Sequence, residues 1–439
     1  MKYSSIVERL NAPIDNIQLI LFRILFGALL AWHCTDAMMT TWLDFVFIQP
    51  KFTFSHIGME WLRPLAGNGM YYYYAVMAVC GVLVSIGLFY RYSLGVFTIL
   101  FAGAYYMQKT TYNNHHYLML LLCVIMLFLP ANTSYAVDVK LNRSKRQDLM
   151  PAWCRFVLIF QISIVYFFAT VAKLYPDWLD GTFIRILLSR FKMPILKEIF
   201  SYDWFIYSIT YGGLFFDFLI IPLLLYRKTR KYAFVAAIFF HMFNKALLAI
   251  GVFPFLALAF SVLFFPPEFF RKYFHKSNSV FQSMIPDSRN SKKILILFFL
   301  PFFIIQLALP LRHWFIKGDV LWTEEGHRLS WRMMLRSRVG ETNFLIVNNA
   351  TNSKEFYDLD TLLTKSQIKQ MRTMPDMIWQ TAQIIKEQYN RKGIEISIHV
   401  DSKVSINNKP KLPLIDPNVD LAKAKWDYFA HNEWILLYD

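Results

Sequence analysis

Nine apolar runs, most near the ~20 residues a helix needs to cross a ~30 Å hydrocarbon core, leave this chain few folds to choose from. They lie at Ile17–Trp32, Tyr72–Leu88, Ser93–Met107, His116–Leu129, Phe156–Ala172, Trp204–Leu225, Ala233–Ala249, Val252–Phe265 and Ile294–Leu309. A backbone in lipid must satisfy its own hydrogen bonds, so such runs become helices. The expected fold is a polytopic α-helical membrane bundle of about nine transmembrane helices over residues 1–311. From Arg312 the composition turns water-soluble, with strand-like "NFLIVNN" and "ISIHVDSKVSI" and helical "MIWQTAQIIKEQYNRKG", for which Gly393 is a C-cap candidate. Residues 312–439 are therefore expected to form a small extracytoplasmic α/β domain.

The formal charge of +16 decides the orientation of the bundle rather than pointing to nucleic acid. Basic residues fall in short clusters between the apolar runs, as in "KLNRSKR" (Lys140–Arg146) and "YRKTRK" (Tyr226–Lys231). Cytoplasmic loops retain Lys and Arg. With the N-terminus in the cytoplasm, four basic loops fall inside: around Arg91, at Lys140–Arg146, at Arg227–Lys231 and at Arg271–Lys293. Asn113–His115, Lys173–Asp203 and everything after Leu311 then face outward. Membrane lipids are the expected partners of the basic loops, and nucleic acid is not. Cys34, Cys80, Cys123 and Cys154 all sit in or beside apolar runs without a CxxC pair, which argues against a disulfide framework or a zinc site. The first apolar run follows a polar, acid-bearing start and lacks a small-residue cleavage site, so it is expected to stay as a helix.

Ionisable and polar residues at membrane depth are costly, and each is a candidate for function. One group is "TTYNNHHYL", with Asn113, Asn114, His115 and His116 at the outer mouth of the fourth run; the plain reading is a capping and headgroup belt. A second is "YFFATVAKLYPDWLDG", where Lys173 either snorkels to the interface or, sequestered in an apolar pocket, offers a neutral amine as a base. Asp177 and Asp180 follow it closely. A third is "FFHMFNKALLAIG", with His241 and Asn244 at i and i+3 on one helix face. Arg190 and His313 fall on the same outer side. No HxxxH, GxSxG or P-loop pattern occurs, which sets aside metal hydrolysis and nucleotide chemistry and leaves base chemistry or ligand binding in an aromatic pocket.

These motifs, in this order, resemble those of the vitamin K-dependent γ-glutamyl carboxylases and their bacterial homologues: "NNHHYL", "VAKLYPDWLDG", "LLSR", "HMFNKALLAIGVF", "LSWRMML" and "IDPNVDLAKAKW". The resemblance implies an enzyme that couples oxidation of reduced vitamin K by O₂ to γ-carboxylation of glutamate in a peptide or protein, with CO₂ or bicarbonate as carbon source and no metal. It implies that Lys173 deprotonates the hydroquinone. It places Asn114 and His115 beside it in catalysis, and gives Arg190, His241, Asn244 and His313 to binding the quinone, CO₂ or glutamate. Animal members carry a disulfide between membrane region and lumenal domain, which a chain with no cysteine after Cys154 cannot match, and they have two lysines where Ala172 and Lys173 stand here. A bacterial inner membrane, or the endoplasmic reticulum of a simpler eukaryote, fits these departures. Two other functions stay open on the residues alone: a quinol epoxidase without carboxylation, and a non-catalytic quinone- or lipid-binding membrane protein.

The orientation can be checked directly. Cysteines introduced near Asn352 and Lys409 are expected to react with a membrane-impermeant thiol reagent added from outside, and one near Lys228 is not. The reverse pattern would place the candidate residues on the cytoplasmic face.

Overall fold

The computed structural model describes residues 3–190, 198–248, 251–274, 292–333 and 335–437. Each of the nine apolar runs contains a helix: α1 (Ile17–Met39), α2 (Gly69–Ile86), α3 (Tyr90–Met107), α4 (Asn114–Phe128), α5 (Ala152–Lys173), α6 (Asp203–Leu225), α7 (Arg230–Leu248), α8 (Phe253–Phe260) and α9 (Leu300–Leu311). Most of the basic stretch Arg271–Lys293, expected on the inner side, lies outside the described residues.

Fewer than nine of these helices are long and apolar enough to cross a membrane unaided. Among the described residues five are: α1, α2, α5, α6 and the continuous Lys292–Phe315 that contains α9. A sixth counts if Phe253–Leu263 and Pro267–Tyr273, bent by 100° at their junction, act as one broken span. The others fall short for visible reasons. α4 has 15 residues, and α7 begins on Arg230 and Lys231 and carries Lys245 in its last turn.

Small residues set the closest helix contact. An added Cβ on Gly27 would stand 2.3 Å from the Ser85 nitrogen, and one on Gly81 2.5 Å from that of Ala31. α1 and α2 thus touch backbone to backbone, as small residues permit in lipid. Around them a single apolar core runs through the bundle, with Phe22, Phe26, Phe97 and Phe299 fully buried.

The C-terminal region is built on an antiparallel sheet in the order β2–β1–β3–β4: β1 Arg338–Asn348, β2 Lys354–Phe356, β3 Ile396–Ile406 and β4 Leu412–Pro413. β1 and β3 pair over their whole length, from Arg338↔Ile406 to Asn348↔Ile396. Alternate residues of β3, among them Ile398, Val400 and Val404, are buried with Ile378, Ala382 and Ile385 of the helix Pro375–Asn390, as a period of two against a helical face requires. That helix is capped by Arg391, two residues before the expected Gly393, which is left-handed at φ 73° in the turn that follows and donates its N–H to the Asn390 carbonyl at 2.9 Å.

Phe54, from the connection between α1 and α2, lies in this second core rather than in the bundle's. Gln367 Nε2 donates to the Phe52 carbonyl (2.6 Å) and Gln380 Nε2 to that of Ser55 (3.0 Å). The strongest tie is a buried three-charge cluster in which Asp376 accepts from Arg328 at 2.7 Å and pairs with Lys109, just beyond α3. Burial brings the Lys109 ammonium down to about 8 despite its neighbour Asp376. Burial acts to raise Asp376, yet Arg328 and Lys109 together hold its carboxyl well below the usual range. Removing one member of such a cluster leaves buried charge unanswered, a loss of about 3–5 kcal/mol. Asp376→Asn is therefore expected to lower the thermal midpoint in detergent and to expose the Phe52–Ser55 segment to proteolysis, whereas Glu387→Gln, at an exposed surface pair, is expected to change neither.

Candidate active site

α5 carries Lys173 as its final residue, at the end where the carbonyl dipoles favour a cation. Its ammonium forms an ion pair with Asp217 in the middle of α6, both side chains nearly buried at 12% and 8% exposure. The Trp178 ring lies on another side of the ammonium, 5.3 Å from centroid to nitrogen. Asp177 and Asp180, the acids nearest in sequence, do not meet Lys173. Asp177 accepts from Asn407 Nδ2 and Lys409 Nζ, both at 2.9 Å, and Asp180 caps Thr182 N at 2.8 Å.

Two turns before Lys173, on the same face of α5, Tyr166 shares a 3.0 Å hydrogen bond with His241 Nε2. This is the partner of His241; Asn244, one turn on, has no hydrogen bond among the described residues and is half-buried. Phe216, next to Asp217, meets His241 edge-on at 5.6 Å. Phe253 of α8 meets the other side of His241 at 5.9 Å and stacks on His115 at 4.2 Å, with 14° between the rings. Lys173, Asp217, Tyr166, His241, Phe253 and His115 thus form one continuous arc contributed by five helices. Three of the expected residues lie on it.

The rest sit around it. Asn113 caps α4 by accepting from the His115 N–H at 2.8 Å, the plain reading of that asparagine. Asn114 faces the C-terminal region: its Oδ1 accepts from the Tyr112 hydroxyl (3.0 Å) and its Nδ2 donates to the Arg332 carbonyl (3.2 Å). His313 meets the same residue, its Nε2 3.4 Å from Arg332 Nη1. Arg190 departs furthest from the expected rim; it is exposed and donates to Ser337 Oγ at 2.9 Å. His116 turns away from the arc to His33, 4.9 Å between ring centroids.

Asp217, Tyr166, Phe253 and Arg332 were not singled out in the sequence. Asp217 carried a signal, since it is the one charge in "YGGLFFDFLIIPLLL", an apolar run where an acid is expensive. Tyr166 stands seven residues before Lys173, a helical spacing.

The arc offers aromatic walls, a buried acid–base pair and one unmet polar atom. His115 Nδ1 is buried without a hydrogen-bond partner among the described residues. Such atoms are costly unless a bound molecule meets them. Among the described residues no three His, Cys, Asp or Glu side chains group as metal ligands would.

Two family models cover most of the chain. That of the HTTM domain matches residues 11–269, and that of the vitamin K-dependent gamma-carboxylase, lumenal domain, matches residues 291–439. No solved structure matches the chain.

Proposed function

The chain belongs to the vitamin K-dependent gamma-carboxylase family, and from that premise we propose that it oxidises reduced vitamin K with O₂ and uses the reaction to carboxylate glutamate in a peptide or protein, with CO₂ as the carbon source. Residues 1–311 would form the membrane bundle, its nine helices crossing or dipping into the bilayer. Residues 312–439 would form the outer domain, with the N-terminus in the cytoplasm. The observation that carries the reading is the arc that joins Lys173 and Asp217 to His241 and His115.

When bound, the reduced quinone supplies on oxidation a base strong enough to remove a glutamyl γ-proton, which no side chain can do. The chain's own residues prepare that chemistry. Lys173 takes the phenolic proton, and Asp217 makes this possible. As an ion pair with Asp217, Lys173 has no free lone pair; moving the shared proton to the carboxylate gives a neutral amine beside a carboxylic acid. A site closed to water brings these two arrangements together in energy, because it takes away the solvation that favours charge. Accepting the phenolic proton then leaves an ammonium next to a carboxylic acid.

His241, held through Nε2 by Tyr166, and His115, fixed against Phe253, would orient the quinone oxygens. Asn114 and His313 act through Arg332 and serve as positioning residues. Arg190 would act at the seam with the outer domain, where an anionic substrate approaches.

Incubating the purified protein with reduced quinone, labelled bicarbonate and a glutamyl peptide is expected to put label into the peptide. Epoxide without label would reduce the function to quinol epoxidation. Saturable quinone binding without O₂ consumption would leave only a binding protein.

Lys173 offers the sharper test. If it only anchors the helix end, Lys173→Arg keeps the charge and quinol oxidation survives. As the base it cannot be replaced by arginine, and Lys173→Ala is expected to lose about 10²- to 10⁴-fold in rate. Small amines should restore turnover in Lys173→Ala in proportion to their free-base fraction. Because Asp217 would hold the incoming amine, the double variant Lys173→Ala, Asp217→Ala should need far more amine or not respond. Oxidation at the normal rate by folded Lys173→Arg would show that Lys173 is not the base.

A further inference from the structure

A groove of about 540 Å³ crosses the outer domain, far from the arc in sequence, and its lining has an unusual distribution of charge. One wall is the helix Lys365–Met371 and the residue after it, which presents Lys365, Lys369 and Arg372. The spacing is i, i+4, i+7, so the three cations form a row on one face. Lys365 and Lys369 are exposed, and none of the three has an ion-pair partner among the described residues. Arg372 Nε is buried without a hydrogen bond. The fourth cation of the lining, Arg338, is already committed to the Leu321 and Trp322 carbonyls at 2.6 and 2.8 Å. Asp358 and Asp360 also line the groove; the Asp358 carboxylate caps the Asp360 N–H at 3.0 Å, and the Asp360 side chain is exposed.

The floor is an open strand edge. Even-numbered residues of β1 turn their peptide groups toward β2: the Phe344 carbonyl accepts from the Tyr357 N–H at 2.9 Å, and the Asn348 N–H donates to the Ser353 carbonyl at 3.0 Å. β2 covers only Leu345–Val347, so Gly340, which points the same way, has no backbone partner on that side among the described residues. An unpaired strand edge is a template for another extended chain. Gly340 also keeps the wall close, since a Cβ there would lie 2.8 Å from the Arg372 carbonyl oxygen.

We propose that this groove binds an extended acidic segment of polypeptide, with its backbone against Gly340 and its carboxylates on Lys365, Lys369 and Arg372. Four residues of helix advance about 6 Å, near the ~6.8 Å between alternate side chains of a strand, so the row suits acids at every second position. The choice of ligand rests on the carboxylase function, whose substrates carry glutamate. Place supports it too. The strand begins beside Ser337, which accepts from Arg190, and whose N–H donates to Asn407, itself bonded to Asp177. One end of the groove therefore abuts the segment that leaves Lys173.

Binding can be read without any chemistry, by fluorescence anisotropy on the full chain in nanodiscs with no quinone or bicarbonate. The probe is a labelled octapeptide of alternating glutamate and valine. Lys365→Glu with Lys369→Glu is expected to weaken it at least tenfold, and to gain binding of the octapeptide with lysine in place of glutamate, an exchange that misfolding would not produce. Methylating alternate backbone nitrogens of the glutamate peptide should weaken binding in one register and not in the other. Equal affinity of the reversed protein for the glutamate peptide, no gain of the lysine peptide, or indifference to methylation in both registers would overturn the proposal. A chain that bound the peptide as expected but carboxylated nothing would overturn the function proposed above and leave the groove standing.

Discussion

Charge removed from water must be answered by charge, and two buried clusters that obey this rule hold the molecule in register. Lys109, Asp376 and Arg328 join the α3–α4 connection to the first turn of the sheet domain's long helix. Lys173 and Asp217 join the end of α5 to the middle of α6. Each is expensive to bury and worse to break, so neither is a free gain in stability. What they contribute is position. The first fixes where the outer domain sits on the bundle, and the second fixes where an ammonium stands relative to Trp178 and the His241 ring.

Between the two clusters runs the loop that makes the outer domain part of the membrane site. Glu324, Leu329 and Trp331 adopt left-handed backbone at φ 62°, 64° and 57°, a conformation that costs bulky side chains about 1–3 kcal/mol each. The strain is offset locally. Trp331 is 1% exposed within the bundle's core and stacks on Tyr117 at 5.0 Å, while Glu324 is held by Arg336 and Arg338. The twist in the chain turns the Arg332 carbonyl toward Asn114 and its guanidinium toward His313. Leu329, Trp331 and Met333 therefore follow the last span in sequence and yet pack in or against the bundle's core. Trp331 is a plug and Arg332 a bracket.

The sequence made the helices legible because burial in lipid writes itself as long apolar runs, and it made the sheet legible because one buried face writes itself as alternation, as in Ile396–Ile406. It also marked Lys173, His241 and His115 as candidates, and these three lie along one arc. What it left unread has a common cause: partners that come from distant elements. Asp177 looked like the neighbour of Lys173, but the strand-like break after α5 turns it to Asn407 and Lys409, while Asp217 arrives from another helix. Asn244 looked like the partner of His241, but Tyr166 on the adjacent helix takes that place. Helical spacing tells which residues share a face, not which face of the neighbour they meet. Of the nine runs read from the sequence, five helices, or six with the bent pair, are long and apolar enough to cross a membrane alone among the described residues, and α4, with 15 residues, is not one of them.

Three neighbours define the setting of Lys173. A helix C-terminus, an aspartate and an indole face surround its ammonium. A lysine meant only to be a free amine would sit among none of them. A lysine meant only as an anchor would reach solvent or headgroups instead of a carboxylate at membrane depth. On the proposed function, the arrangement suits a group that holds a proton firmly after taking it and parts with it only when Asp217 can receive it. On that view the carboxylate is the device that sets the lysine's charge, and the aromatic arc leading to His115 keeps water from setting it instead. On the proposed function, proton abstraction is then governed by how well the arc shuts water away from the Lys173–Asp217 pair.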